Sequence, residues 1–86
     1  MYTLNPDIVA KKIQNETAIL NVLTGQYFVL NEVATHAWNQ IQDGQLNIDA
    51  IAQSLFEKFD VDAETARKDA EELVSTLKEK QILTEA

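Results

Sequence analysis

Bond chemistry by a protein needs a nucleophile beside a base, a cluster of metal ligands, or a loop that cradles phosphate. The 86 residues of this chain arrange none of these. His36 is the one histidine and cysteine is absent, so no Cys–His pair and no histidine or thiolate metal centre can be built. His36 reads as a partly exposed helical residue. Ser54 and Ser75 have no evident base beside them and are more simply helix residues. Gly25 and Gly44 are isolated, which rules out a glycine-rich phosphate loop. Glu71 and Glu72 follow Arg67 and Lys68 four residues on, the spacing of ordinary helix ion pairs, Arg67–Glu71 and Lys68–Glu72. The expectation is a non-enzyme without metal or cofactor.

Binding chemistry lies elsewhere. The segment Gln26-Tyr27-Phe28-Val29-Leu30 is strand-forming, uncharged and free of proline. At the edge of a sheet it would offer unpaired N–H and C=O groups to an extended peptide, because nothing in it guards the edge. The segment Ile8 to Ile13 carries Lys11 and Lys12 and reads as the guarded edge. Asp69, Leu73, Thr76 and Leu77 recur at spacings of three and four, hence on one side of a helix. Beside the open strand, Asp69 would meet a basic peptide residue, while Leu73 and Leu77 would floor a side-chain pocket. Plainer readings stand next to these. The last helix or the C-terminal tail would cover the strand edge, Leu73 and Leu77 would be core, and Asp69 a solvated acid.

The elements that must position these residues read as strands first and helices second. Ile8 to Ile13 and Glu16 to Val22 are short and rich in β-branched residues, with Gln14-Asn15 as a tight turn between them. Thr24-Gly25 breaks the pattern, and Gly25 can take the positive φ of a hairpin turn. Gln26 to Leu30 is the third strand of a meander. Asn31 caps a helix carrying Val33, Ala34, Ala37, Trp38 and Ile41 at helical spacing, with Trp38 as a core anchor and Gly44 as terminator. Leu46 or Asn47 opens a second helix, with Ile48, Ile51, Ala52, Leu55, Phe56 and Phe59 on its buried side. Asp62 caps the longest helix, which runs to about Lys80 with Ala66, Ala70, Leu73, Val74 and Leu77 on one face. Ile82 and Leu83 tuck back onto the body. The chain is expected to be one α+β domain over residues 1–86, with residues 1–6 loose.

The run Leu23-Thr24-Gly25-Gln26-Tyr27-Phe28-Val29-Leu30-Asn31, followed by Trp38 and Gly44, resembles the PqqD-like family. So does Ile51-Ala52-Gln53-Ser54-Leu55, then Phe59-Asp60-Val61-Asp62, Ala66, Asp69, Leu73 and Leu77, closed by Ile82-Leu83. The likeness extends from about Ile8 onward, and its most distinctive piece is the glycine turn leading into Tyr27-Phe28. Members are RiPP recognition elements, binders of the leader segments of ribosomally made precursor peptides. A chain of this length is most like the stand-alone members of split lasso-peptide systems, and next like those that work with a radical-SAM enzyme on a quinone-cofactor precursor. The resemblance implies a winged-helix-turn-helix-like fold of three antiparallel strands followed by three helices. It also implies that the leader adds to the sheet as a fourth strand, against the third strand and the third helix. The site residues that follow are Tyr27, Phe28, Val29, Leu30, Asp69, Leu73, Thr76 and Leu77. The implied partners are the precursor leader and a leader peptidase or other modifying enzyme.

Charge agrees with a peptide partner. Fourteen acids against seven bases leave a net charge of −7, and the bases are scattered. A phosphate-backbone binder needs a basic face, so the rival reading, a winged-helix DNA-binding regulator, is disfavoured. No apolar run reaches the roughly 20 residues that cross a bilayer, and no secretory signal is visible at the N-terminus. Absence of cysteine suits a reducing compartment, and the expected location is the cytoplasm.

Overall fold

Two left-handed backbone positions fold the first third of the chain into a meander. Gln14 (φ 57°) turns one hairpin, and Gly25 (φ 77°) turns the next, where a Cβ would strain the backbone. The computed structural model describes residues 2–44 and 47–85. Its elements are β1 (Tyr2–Leu4), β2 (Ile8–Ile13), β3 (Glu16–Asn21), β4 (Tyr27–Leu30), α1 (Glu32–Gln42), α2 (Ile48–Lys58), α3 (Ala63–Glu79) and β5 (Leu83–Glu85). One antiparallel sheet has the order β2-β3-β4, and a second pairs β1 with β5. The α+β expectation of three antiparallel strands followed by three helices holds, with one addition described below.

Alternation along the strands sorts the side chains. Thr17 and Ile19 of β3, with Phe28 and Leu30 opposite them on β4, face the helices. Val9, Leu20 and Tyr27 stand in one row on the other face, 54%, 39% and 73% exposed. Where β4 runs into α1, three buried groups form a chain. The Thr17 hydroxyl donates to Thr35 Oγ1 at 3.0 Å, and Thr35 donates to the Leu30 carbonyl at 3.3 Å. This satisfies polar groups that would otherwise cost about 1–3 kcal/mol each when buried, and it fixes α1 against the end of β4.

Each helix begins at a side-chain cap. Asn31 Oδ1 accepts from the Ala34 N–H, Asn47 Oδ1 from Asp49 and Ala50, and Asp62 Oδ1 from Thr65, so each satisfies orphan donors of its first turn. Of the two expected starts for α2, Asn47 is the cap, and Leu46 lies outside the described residues. The core centres on Trp38, Ile41, Ile51, Leu55 and Leu77. Ala66 and Ala70 are fully buried, and their small size lets α3 sit close to its neighbours. Phe56 departs from expectation. It is 45% exposed, because Ile51, Ala52 and Leu55 fill the contact with α3 and leave the next residue round the helix to solvent.

Residues Tyr2–Leu4 are not loose as expected but form a strand, while Met1 lies outside the described residues. Lys80 ends α3, Gln81 takes φ 59°, the Gln81 N–H reaches the Lys78 carbonyl, and the Ile82 N–H reaches the Leu77 carbonyl at 2.9 Å. This is a Schellman reversal with a non-glycine residue in the left-handed position. It delivers Ile82 and Leu83 into the core, both 2% exposed, and starts β5. Strand β1 pairs with it, Thr3 beside Thr84, while the Asn5 N–H donates to the Ile82 carbonyl at 2.7 Å. Among the described residues no helix is long and apolar enough to cross a membrane.

Candidate peptide-binding groove

The hydrogen-bond phase of β4 decides what its outer edge offers. The Asn21 N–H bonds the Gln26 carbonyl at 2.9 Å, and with Ile19 opposite Phe28 and Thr17 opposite Leu30 the bonded pairs recur every second residue. Phe28 and Leu30 therefore spend their backbone groups on β3. Tyr27 and Val29 turn their N–H and C=O outward. Among the described residues no strand pairs with that edge, since β5 is taken up by β1. The described part of the C-terminal tail, Leu83–Glu85, pairs with β1 instead of covering it.

Between this edge and the helices lies a cavity of about 320 Å³, at the small end of ligand pockets. Strand β4 and its exit give it Phe28, Val29, Leu30 and Asn31, and α3 gives Asp69, Glu72, Leu73 and Thr76. Six of the eight residues expected from sequence thus meet at one cavity. Leu77 does not. It is fully buried, one helical turn too deep, and is core as its plainer reading held. Tyr27 is absent from the lining and its side chain points away; its backbone alone faces the edge.

The floor was missed. Val33, Ala34 and Ala37 of α1 and Leu55 of α2 line the cavity. Their signal is present in the sequence, since Val33, Ala34 and Ala37 follow the strand on one helical face, but spacing alone does not separate the part of that face that lines a cavity from the part that is core. The rim is acidic. Arg67 pairs with Asp49 and, at 3.0 Å, with Glu71; the expected Lys68–Glu72 bridge is not formed, which leaves Glu72 beside Asp69 at the opening.

Away from the groove, Ser54 departs from the expectation that no base stands beside it. Ser54 Oγ lies 2.8 Å from His36 Nε2, and Gln40 Nε2 contacts both, so a base does stand beside this serine. The third member is an amide, not a carboxylate, and the cluster ties α1 to α2. Among the described residues no group of three His, Cys, Asp or Glu side chains is placed to hold a metal. Burial first, and then the Lys58 ammonium, hold the His36 imidazole below its usual pKa of 6.5. The unfolded chain takes up this proton more readily than the folded one. Its contribution to stability is therefore intact above the usual value and falls as pH drops through it toward the folded pKa. Urea midpoints measured at about pH 7.5 and about pH 5.5 are expected to fall less in His36→Gln than in the wild type.

The family model described as coenzyme PQQ synthesis protein D (PqqD) matches residues 16–83. A comparison with curated protein sequences finds no match. Two solved structures superpose over almost the whole chain. TbiB1 in complex with the TbiA(beta) leader peptide has a TM-score of 0.85 and 24% identity, covering 96% of this chain and 95% of that one. Lasso peptide synthetase B1 complexed with the leader peptide has a TM-score of 0.86 and 26% identity, covering 98% of each chain.

Proposed function

This chain belongs to the PqqD family, and we propose that it is a leader-binding adaptor of peptide natural-product biosynthesis. It takes the leader of a ribosomally made precursor as an added strand on β4 and presents the precursor to a leader peptidase or other modifying enzyme. The observation that carries this reading is the open edge of β4 beside an apolar cavity walled by α3. Main-chain bonds at Tyr27 and Val29 supply sequence-tolerant affinity, and the cavity supplies side-chain selectivity. The site comprises Phe28, Val29, Leu30, Asp69, Leu73 and Thr76, the backbone of Tyr27, and the floor from α1 and α2. The adaptor does no bond chemistry, needs no cofactor and works in the cytoplasm. Similarity to two proteins solved with leader peptides supports it.

The family description favours a second reading, in which the peptide is a quinone-cofactor precursor and the enzyme a radical-SAM protein. The groove serves either peptide, and only the partner differs. Calorimetric titration tests the shared claim, using a synthetic peptide of the N-terminal segment of whichever short precursor a reading of the neighbouring genes identifies. Saturable one-to-one binding with a Kd of about 1 μM or tighter is expected. Absence of binding, with the chain shown to be folded, ends the reading.

A further inference from the structure

The groove is not electrostatically uniform along its length. Asp69 and Glu72 stand at the cavity, and among the described residues neither is in an ion pair. Beyond Thr76, at the end of α3, the Lys80 ammonium lies over the Phe28 ring, 5.0 Å from its centroid. No carboxylate of the described residues pairs with it. The acids and the lysine are on one helix, Asp69 and Lys80 eleven residues apart, which at 1.5 Å per residue is about 16 Å. An extended peptide covers that distance in about five residues.

The same contact gives direction. Phe28 is near the start of β4, and Lys80 is at the end of α3, so strand and helix run in opposite senses along the groove. A peptide added antiparallel to β4, as every strand pair of the described residues is, then runs with α3. It meets Asp69 and Glu72 first and Lys80 last.

Resting on the leader-binding reading, we propose that Lys80 is a subsite for an acidic side chain, and that the groove selects a strand with a basic residue followed about five residues later by an acidic one. The exposed cation over Phe28 and the unpaired acids at the cavity act as two opposite poles. They fix the direction of the bound chain, which backbone bonds alone leave open.

Two synthetic peptides of equal composition test this. Both carry the leader segment used in that titration. One has Lys and, five residues on, Glu at the positions flanking its apolar anchor, and the other has the two exchanged. At low salt the Lys-then-Glu peptide is expected to bind about tenfold tighter, and the gap should close as salt rises, since exposed pairs are screened. Lys80→Gln should narrow the gap and Lys80→Glu should narrow it further, with circular dichroism unchanged. Equal affinities overturn the proposal. So does a gap that neither Lys80 variant moves, or a preference for the exchanged peptide, which would mean a parallel strand. If the native leader itself fails to bind, the adaptor reading falls and this proposal falls with it. If that leader binds but the charge exchange has no effect, the adaptor stands and only the polarity is wrong.

Discussion

Val29→Pro is expected to reduce leader affinity on the order of a hundredfold and to leave the chain folded. The pairing phase is the reason. The Val29 N–H points to the open edge, so its loss removes no bond inside the protein. The residue before a proline is pushed toward extended geometry, which Phe28 already has as a strand residue. The leader would lose one main-chain donor, leave its own carbonyl unsatisfied and meet the pyrrolidine ring, and each decade of affinity needs only about 1.4 kcal/mol. Tyr27→Pro should act in the same way. Phe28→Pro should differ, because its N–H faces β3 opposite Ile19, and the loss of an inward ladder bond, which leaves a carbonyl of β3 unsatisfied, should destabilise the sheet by about 1–3 kcal/mol. On β2, Lys11→Thr and Lys12→Thr should leave affinity nearly unchanged. Calorimetry and urea unfolding on the five variants separate the two effects. Leader binding that survives Val29→Pro, or that depends on β2, would place the peptide elsewhere.

What was legible in the sequence was local. Gly25 could be assigned to a turn because only a residue without Cβ is at ease there, and Asn31 and Asp62 could be assigned to caps because their short side chains reach back to the first-turn amides. The open edge could be read because Tyr27 to Leu30 lack the charges that mark β2. What was not legible depends on depth or on distance along the chain. Leu73 and Leu77 share a helical face, so spacing cannot tell that one lines the cavity and the other lies beneath it. Strands β1 and β5 are three residues each and join the two ends of the chain, and the reversal that makes this possible rests on Gln81 rather than a glycine. His36 and Ser54 are eighteen residues apart and meet only because α1 crosses α2. Phe56 fits the apolar spacing of α2 as well as Leu55 does, and only packing against α3 separates them.

The floor of the cavity, which the sequence hid, gives the sharper test of where the leader side chain goes. Truncating Leu73 would be a poor choice. It is 6% exposed, and Leu→Ala at such a site costs about 2–5 kcal/mol, so lost binding would be confounded with lost fold. Filling the cavity avoids this. Ala34 is half-buried, lines the cavity and sits in the first turn of α1, where its N–H, not its side chain, serves the Asn31 cap. Ala34→Phe would place a ring into open space of about 320 Å³. Covering that apolar surface should hold stability level or raise it, as each newly buried methylene contributes about 0.8 kcal/mol. The leader's anchoring side chain would then have no room, and a large apolar side chain denied burial forfeits about 1.5–3 kcal/mol. Affinity should therefore fall between tenfold and a hundredfold, on the order of the proline effect but without touching a main-chain group. The two variants remove different halves of one mechanism. Val29→Pro takes away the ladder and spares the cavity, whereas Ala34→Phe closes the cavity and spares the ladder. If Ala34→Phe binds the leader as the wild type does while Val29→Pro does not, the peptide is held at the edge alone, and α1 has no part in recognising it.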